Sequence, residues 1–227
     1  MMIFKCKKFG GKVLPNTLYA VYYNDEEHTI PFVEKQNGVD EDYVNVRFTL
    51  EEGQYGIFAN EYHPGHVADA KRADILLLVV DEPQKLCSSW ILDIKVTVGG
   101  KDVISHLIEQ WQASYKHKST FSIYLDGFAE TEVIGVITRD YQKDRIEAMV
   151  EKMRKEIASL TETLEVMPNS SIKMTQQRNL LKTKLEYQLF DKFKEGYVTI
   201  ADHDYPVAIY QLKGDAVPYC CDMEVKI

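Results

Sequence analysis

Apolar and polar residues alternate along "TLYAVYYN" (17–24) and "YVNVRFTL" (43–50), and both stretches are rich in Tyr, Val and Phe. A period of two with that composition predicts strands. The intervening "DEEHTIPFVEKQNGVDED" reads as acidic and irregular, and "EEGQYGIFANEYHPGHV" (51–67) as loop-like. Two apolar runs follow, "ADILLLVV" (73–80) and "SSWILDIKVTV" (88–98), both strand-like, and the Gly99–Gly100 pair breaks the second. In "KDVISHLIEQWQASYKHK", Val103, Ile104, Leu107, Ile108 and Trp111 recur at helical spacing. "FSIYLDGF" (121–128) and "TEVIGVIT" (131–138) return to strand pattern.

From Gln142 the period changes again. Ile146, Val150, Met153, Ile157, Leu160 and Leu164 step alternately by four and three, a heptad seam. Pro168 cannot continue that helix, and Ser170 or Ser171 can cap the next. The second helix carries Met174, Leu181, Leu185 and Leu189 on one face. Two helices joined this closely predict an antiparallel hairpin. It either packs on the core or protrudes to meet a partner. Met149, Val166, Met167, Tyr187 and Phe190 lie off the seam or at the tip and are the residues expected to stay exposed for docking. The chain closes on strand-like "EGYVTIADHDYPVAIYQLKG" (195–214). The order predicts an α/β or α+β fold with a mixed sheet around residues 72–138. Four segments follow: a β-rich part at 1–60, a core at 61–141, the hairpin at 142–194 and closing strands at 195–227.

Composition narrows the picture. The chain has 227 residues, 45% of them apolar and 27% charged, which suits one globular unit. No apolar run approaches the roughly 18 residues of a membrane helix, and "MMIFKCKKFGG" lacks the apolar stretch of a secretory signal. Cys6, Cys87, Cys220 and Cys221 form no CxxC spacing, so reduced thiols and a cytoplasmic location are expected, without a zinc site. The net charge of −8 speaks against the whole molecule attracting nucleic acid, although residues 143–194 hold 11 Lys/Arg against 8 Asp/Glu. There is no G-x-S-x-G elbow, Walker-type loop or G-x-G-x-x-G.

Candidate chemistry comes from charges where the pattern does not invite them. Asp74 opens the first apolar run, and Asp93 and Lys95 sit within the second, pointing to the same face. An Asp and a Lys on a half-exposed strand are commonplace. On a strand with the composition of one buried on both sides, they need a reason. If Asp74 lies beside Asp93, the two carboxylates repel unless a cation sits within reach of both, roughly 4–6 Å apart. Mg²⁺ or Mn²⁺ suits oxygen ligands, and Lys95 could orient a water or neutralise a phosphate, a grouping fit for phosphodiester hydrolysis. His63 and His66 lie three apart in a Gly/Pro loop. One of them added to the carboxylates would favour Mn²⁺. His106 and His117 read as solvated.

"RADILLLV … SWILDIKV" followed by "HLIEQWQASY" resembles the PD-(D/E)xK restriction-endonuclease-like nucleases. In that pattern an Asp begins one strand, an acidic-x-Lys lies on the next, and a helix follows. Asp74, Asp93 and Lys95 match those positions, and the D-x-K form is similar to the RecB-type branch. That branch adds an upstream His, for which His63 or His66 qualifies, and a Gln and Tyr on the helix, for which Gln110 or Gln112 and Tyr115 qualify. It departs in spacing: the branch sets Gln and Tyr four apart, and here they are five or three apart. No Pro precedes Asp74. The resemblance spans roughly residues 61–138. It implies a mixed restriction-endonuclease-like sheet flanked by helices, with Asp74, Asp93, Lys95, Gln110 and Tyr115 as catalytic residues. Asp74, Asp93, His63 and His66 would be the metal ligands. The implied activity is Mg²⁺- or Mn²⁺-dependent hydrolysis of DNA, in an anti-phage defence complex with a helicase or ATPase partner and no membrane. A homo-oligomer stays open. The rival readings are a non-catalytic interaction subunit that assembles through the hairpin and a metal-independent nucleic-acid-binding module.

Overall fold

The structure, a computed structural model, describes residues 4–5, 8–9, 12–13, 18–22, 29–35, 43–59, 72–119, 126–169, 171–212 and 220–226. In chain order the elements begin with β1 (Phe4–Lys5), β2 (Lys8–Phe9), β3 (Lys12–Val13), β4 (Leu18–Tyr22), β5 (Thr29–Lys35), β6 (Tyr43–Thr49) and β7 (Gln54–Ala59). Then come β8 (Ile75–Asp81), β9 (Leu86–Val98), α1 (Lys101–Ser119), β10 (Ala129–Tyr141), α2 (Lys143–Val166) and α3 (Ser171–Lys194). The last are β11 (Tyr197–Ile200), β12 (His203–Gln211) and β13 (Cys220–Lys226).

The fold is mixed α/β. The main sheet runs β1-β4-β7-β8-β9-β10-β12-β11, a smaller sheet runs β13-β6-β5, and β2 pairs with β3. From β4 to β9 neighbouring strands are antiparallel. From β9 through β10 to β12 they are parallel. Parallel neighbours need a crossover. α1 makes the first one, and the whole α2–α3 hairpin makes the second. The hairpin is therefore pinned at both roots to the sheet while its tip reaches outward.

Both faces of the main sheet are covered. On one face Ile75, Leu77, Val79, Trp90, Leu92 and Ile94 pack against Ile30, Val46, Phe48 and Val225 of the small sheet. On the other, Ile91, Ile134 and Val136 pack against Ile104, Leu107 and Trp111 of α1 and the hairpin roots Ile146, Val150, Phe190 and Phe193. Trp111 stacks on Phe193 with ring centroids 6.3 Å apart. Double coverage is why β8 and β9 read as near-continuous apolar runs. Val96 is the departure: it is exposed, because that end of β9 runs past the small sheet's cover.

Several expectations change. The segment read as irregular contains β5, whose Ile30 and Phe32 pair with Phe48 and Val46 of β6. The segment read as loop-like contains β7. Its Gly56 spoils the alternation; a Cβ there would push aside the tip of the Ile30 side chain on the facing sheet. In the stretch read as a strand at 121–128, Asp126–Gly127 is a turn and 121–125 lie outside the described residues. Strands from 1–60 and 195–227 join β8, β9 and β10 in the main sheet, and the small sheet is built from those two segments.

The hairpin forms as the heptad predicts. Ile146, Val150, Met153 and Leu164 are buried, with Ile157 and Leu160 half-buried. Pro168 follows the end of α2, and Ser171 is the first residue of α3; Ser170 lies outside the described residues. The residues expected to stay exposed for docking mostly do not. Phe190 is buried in the core, while Met149 and Tyr187 pack against it half-buried and Met167 is half-buried. Only Val166 is well exposed. Instead Met174, Leu181, Leu185 and Leu189 of α3, which do share one face, point to solvent. The heptad seam of α2 packs on the opposite side of α3, where Leu180, Thr183 and Tyr187 are half-buried. Among the described residues no helix is long and apolar enough to cross a membrane.

Candidate functional site

The β8–β9 hairpin places the charged residues. Its register pairs Ile75 with Leu92, so Asp74, one step before the ladder, falls beside Asp93. Alternation sends Leu92 and Ile94 to the small-sheet face and Asp93 and Lys95 to the helix face. Asp93 is fully buried, while the side chains of Asp74 and Lys95 are each about one-fifth exposed. The site therefore opens to solvent on the Asp74 and Lys95 side, with Asp93 at its floor.

One ammonium serves both acids. Lys95 Nζ donates to Asp93 Oδ1 at 2.6 Å and lies 3.5 Å from Asp74 Oδ2. Lys95 thus bridges the two carboxylates. Asp74 Oδ2 also accepts the Ile94 N–H at 2.7 Å, which ties it to the backbone between Asp93 and Lys95. Asp93 Oδ2 is buried and meets no N–H donor, while a carboxyl–carboxyl hydrogen bond to Asp74 is among the causes that raise Asp93. Burial, and then the charge of Asp74, push the Asp93 carboxyl up to about 8, against the opposing pull of Lys95. Burial alone would lower the Lys95 ammonium. The two carboxylates outweigh it and hold the ammonium above its ordinary value.

The helix residues act differently from expectation. Gln110 is buried and donates through Nε2 to the Arg72 carbonyl at 2.6 Å. Ser114, one turn on, accepts the Ala73 N–H through Oγ at 2.8 Å. Together they clamp the two residues that lead into Asp74, so Gln110 is a positioning residue. The sequence reading missed Ser114; its only signal was the i, i+4 spacing from Gln110. Ser114→Ala should lower stability by about 1–3 kcal/mol, because the Ala73 N–H is then buried without an acceptor. Thermal or urea unfolding measures this, and an unchanged midpoint would show that water reaches the amide.

Tyr115 is not brought to the acids. Its hydroxyl accepts from Tyr205 of β12 at 3.0 Å, and the Lys118 ammonium lies 5.5 Å from its ring centroid. Lys118 is itself buried and pairs with Glu130 and with Glu132, the latter at 2.8 Å. This cluster is satisfied internally and ties α1 to β10 and β12. Gln112 is exposed, and His106 and His117 are half-buried rather than solvated. His63 and His66 lie outside the described residues. Cys87 is buried, and burial with the nearby Glu130 pushes its thiol up to about 12, which makes it inert as a nucleophile.

The donor set can be tested against a metal ion. Among the described residues no group of three or more His, Cys, Asp or Glu gathers as a cage. Two carboxylates do, one of them with a buried oxygen that meets no N–H donor. That set fits Mg²⁺ or Mn²⁺, which take one or two carboxylates and keep waters or substrate oxygens in the other positions. It does not fit an all-protein site. Comparison of the chain with protein-family models, with curated proteins and with solved structures finds no match.

Proposed function

We propose that this chain is a metal-dependent nuclease of the PD-(D/E)xK type that hydrolyses DNA phosphodiester bonds. The observation that carries the reading is the buried Asp93, joined to Asp74 by one lysine and left with an oxygen that meets no N–H donor. Besides holding the Ile94 N–H, Asp74 sets a second carboxylate beside a buried one, which raises the cost of ionising Asp93 and suits a place for a cation. The order of elements supports it as well: Asp74 at the start of β8, Asp93-x-Lys95 on antiparallel β9, then α1 and parallel β10.

In this reading Asp74 and Asp93 hold Mg²⁺ or Mn²⁺. The ion, when bound, supplies Lewis-acid stabilisation of charge on the phosphate. Asp93, buried at the floor, would have to be in its ionised form to serve as a ligand. Lys95, whose ammonium is held above its ordinary value by the two carboxylates, would keep its proton and set a positive charge beside the phosphate. Gln110 and Ser114 hold the backbone at Asp74. Such an enzyme would work in the cytoplasm as the effector of an anti-phage defence complex, under control of a helicase or ATPase.

Plasmid and linear DNA incubated with Mg²⁺, with Mn²⁺ or with EDTA test the reading. Nicking or linearisation is expected with either metal and none with EDTA; metal-independent cutting, or none under any condition, would sink it. The position of Tyr115, committed to Tyr205, favours a second reading as a non-catalytic interaction subunit. That reading predicts no cutting with any metal.

A further inference from the structure

Among the described residues, no element covers the face of α3 that carries Met174, Leu181, Leu185 and Leu189. Their exposures are 59%, 62%, 64% and 37%. The steps of seven, four and four keep them in line along a helix, over about 22 Å at 1.5 Å per residue. The stripe is one residue wide, the width of a coiled-coil seam rather than of a face that sinks into a core. At its sheet end it runs into an open hollow of about 840 Å³, lined by Leu185, Leu189, Lys192, Thr199 and Asp202.

Charge says what fits there. α3 carries Lys173, Arg178, Lys182, Lys184, Lys192 and Lys194 but only Glu186 and Asp191 as acids. Both acids are already engaged: Glu186 with Lys101 of α1 at 2.7 Å, and Asp191 with Lys194 at 2.5 Å. Lys182 and Lys184 flank the stripe on either side, and Arg178 lies in line with it between Met174 and Leu181. These three charges, all exposed, meet no carboxylate on their own helix. A molecule with a net charge of −8 thus presents a basic, leucine-lined strip.

We infer that this strip is the docking seat for an acidic amphipathic helix of another protein. Leucine or similar anchors at i, i+3, i+4 and i+7 would cover Met174, Leu181, Leu185 and Leu189, and Glu or Asp beside them would meet Lys182 and Lys184. A second copy of this chain is the poorer occupant, because pairing α3 with itself sets basic flank against basic flank. A lipid surface calls for a broader apolar face, and a nucleic acid would leave the four apolar side chains uncovered. The inference stands apart from the nuclease reading.

The full chain is titrated against a labelled helical peptide of about three heptads, with Leu at a and d and Glu at e and g. A Lys-for-Glu peptide, a scrambled peptide, a DNA oligonucleotide and anionic vesicles are the comparison arms. The acidic peptide should bind with a Kd of about 10 μM or tighter, and at least about tenfold more weakly to Leu181→Glu/Leu185→Glu. Lys184→Glu should also weaken it, and added salt should slow association. Both variants change exposed side chains, so their melting temperatures should stay at the wild-type value. Absence of binding, equal binding to the Lys-for-Glu or scrambled peptide, or self-association abolished by Leu181→Glu/Leu185→Glu overturns the inference. So does binding of only DNA or only vesicles. Because none of these readouts uses cleavage, failure here and failure of the nuclease assay are distinguishable.

Discussion

Under the proposed nuclease reading, Asp93→Asn should lower cleavage of plasmid DNA by at least about a hundredfold, while the metal-free variant should melt at a higher temperature than wild type above pH 8. The first effect follows from losing one of two acidic ligands and with it several kcal/mol of charge stabilisation at the phosphate. The second follows from burial. Wild-type Asp93 keeps its proton up to about pH 8 in the folded state, whereas an unfolded Asp loses it near pH 4. Between those values the folded state binds more protons, so stability falls as pH rises; the contribution is complete below about pH 4 and gone above about pH 8. Asparagine has the same shape and no charge to bury. Its advantage at pH 9 should reach at least about 1 kcal/mol, the worth of one pKa unit, and shrink steadily as pH falls toward 4. Lys95 is not stranded in this variant, because Asp74 remains 3.5 Å away and the ammonium is partly exposed. Melting both proteins from pH 5 to pH 9 in EDTA checks the claim. A variant that is less stable than wild type at pH 9 would show that the Lys95–Asp93 pair repays its burial. Undiminished cutting would move the catalytic centre elsewhere.

Lys95→Ala should slow cleavage by about 10²–10³-fold at saturating Mg²⁺, the range seen when one charged group facing the transition state is removed. Metal binding should survive, because both carboxylates remain and the ion can take the place the ammonium holds between them. Without metal, two acids then face each other with no cation. Asp93 should hold its proton to a still higher pH, and the pH at which metal binding reaches half its maximum should rise. Calorimetric titration of Mg²⁺ across pH, beside single-turnover cleavage, separates the two effects. Equal rates in variant and wild type would reduce Lys95 to a counter-ion for the empty site.

Much of the site was legible before any fold was known. Charges inside a run like "SWILDIKV" violate the apolar pattern, and a violation on a doubly buried strand signals a cost met by function. Asp74, Asp93 and Lys95 were found that way. Gln110 lies on the expected helix, where its Nε2 holds the Arg72 carbonyl; a spacing rule cannot tell a side chain aimed at a reacting group from one holding a backbone carbonyl. Tyr115 shows the same limit, since its partner Tyr205 lies 90 residues away in sequence. Ser114 left almost no trace, because a buried serine that accepts one amide looks like any helical serine.

The same division runs through the fold. Local periodicity determined β8, β9, α1, β10 and the two hairpin helices, because each contains enough residues of one period for its apolar side to stand out. It failed at β5 and β7. There Pro31 and Gly56 interrupt the pattern, and pairing with β6 and β8 decides the conformation instead. Periodicity also showed that Met174, Leu181, Leu185 and Leu189 share one side of α3, but not whether that side is covered. Only the tertiary structure decided this, because two roots tied to parallel strands fix how α3 is rotated against α2. Phe190 and Phe193 are thereby turned into the core and the leucine stripe away from it. A helix's sequence states which residues share a face; which face meets water depends on how its ends are anchored.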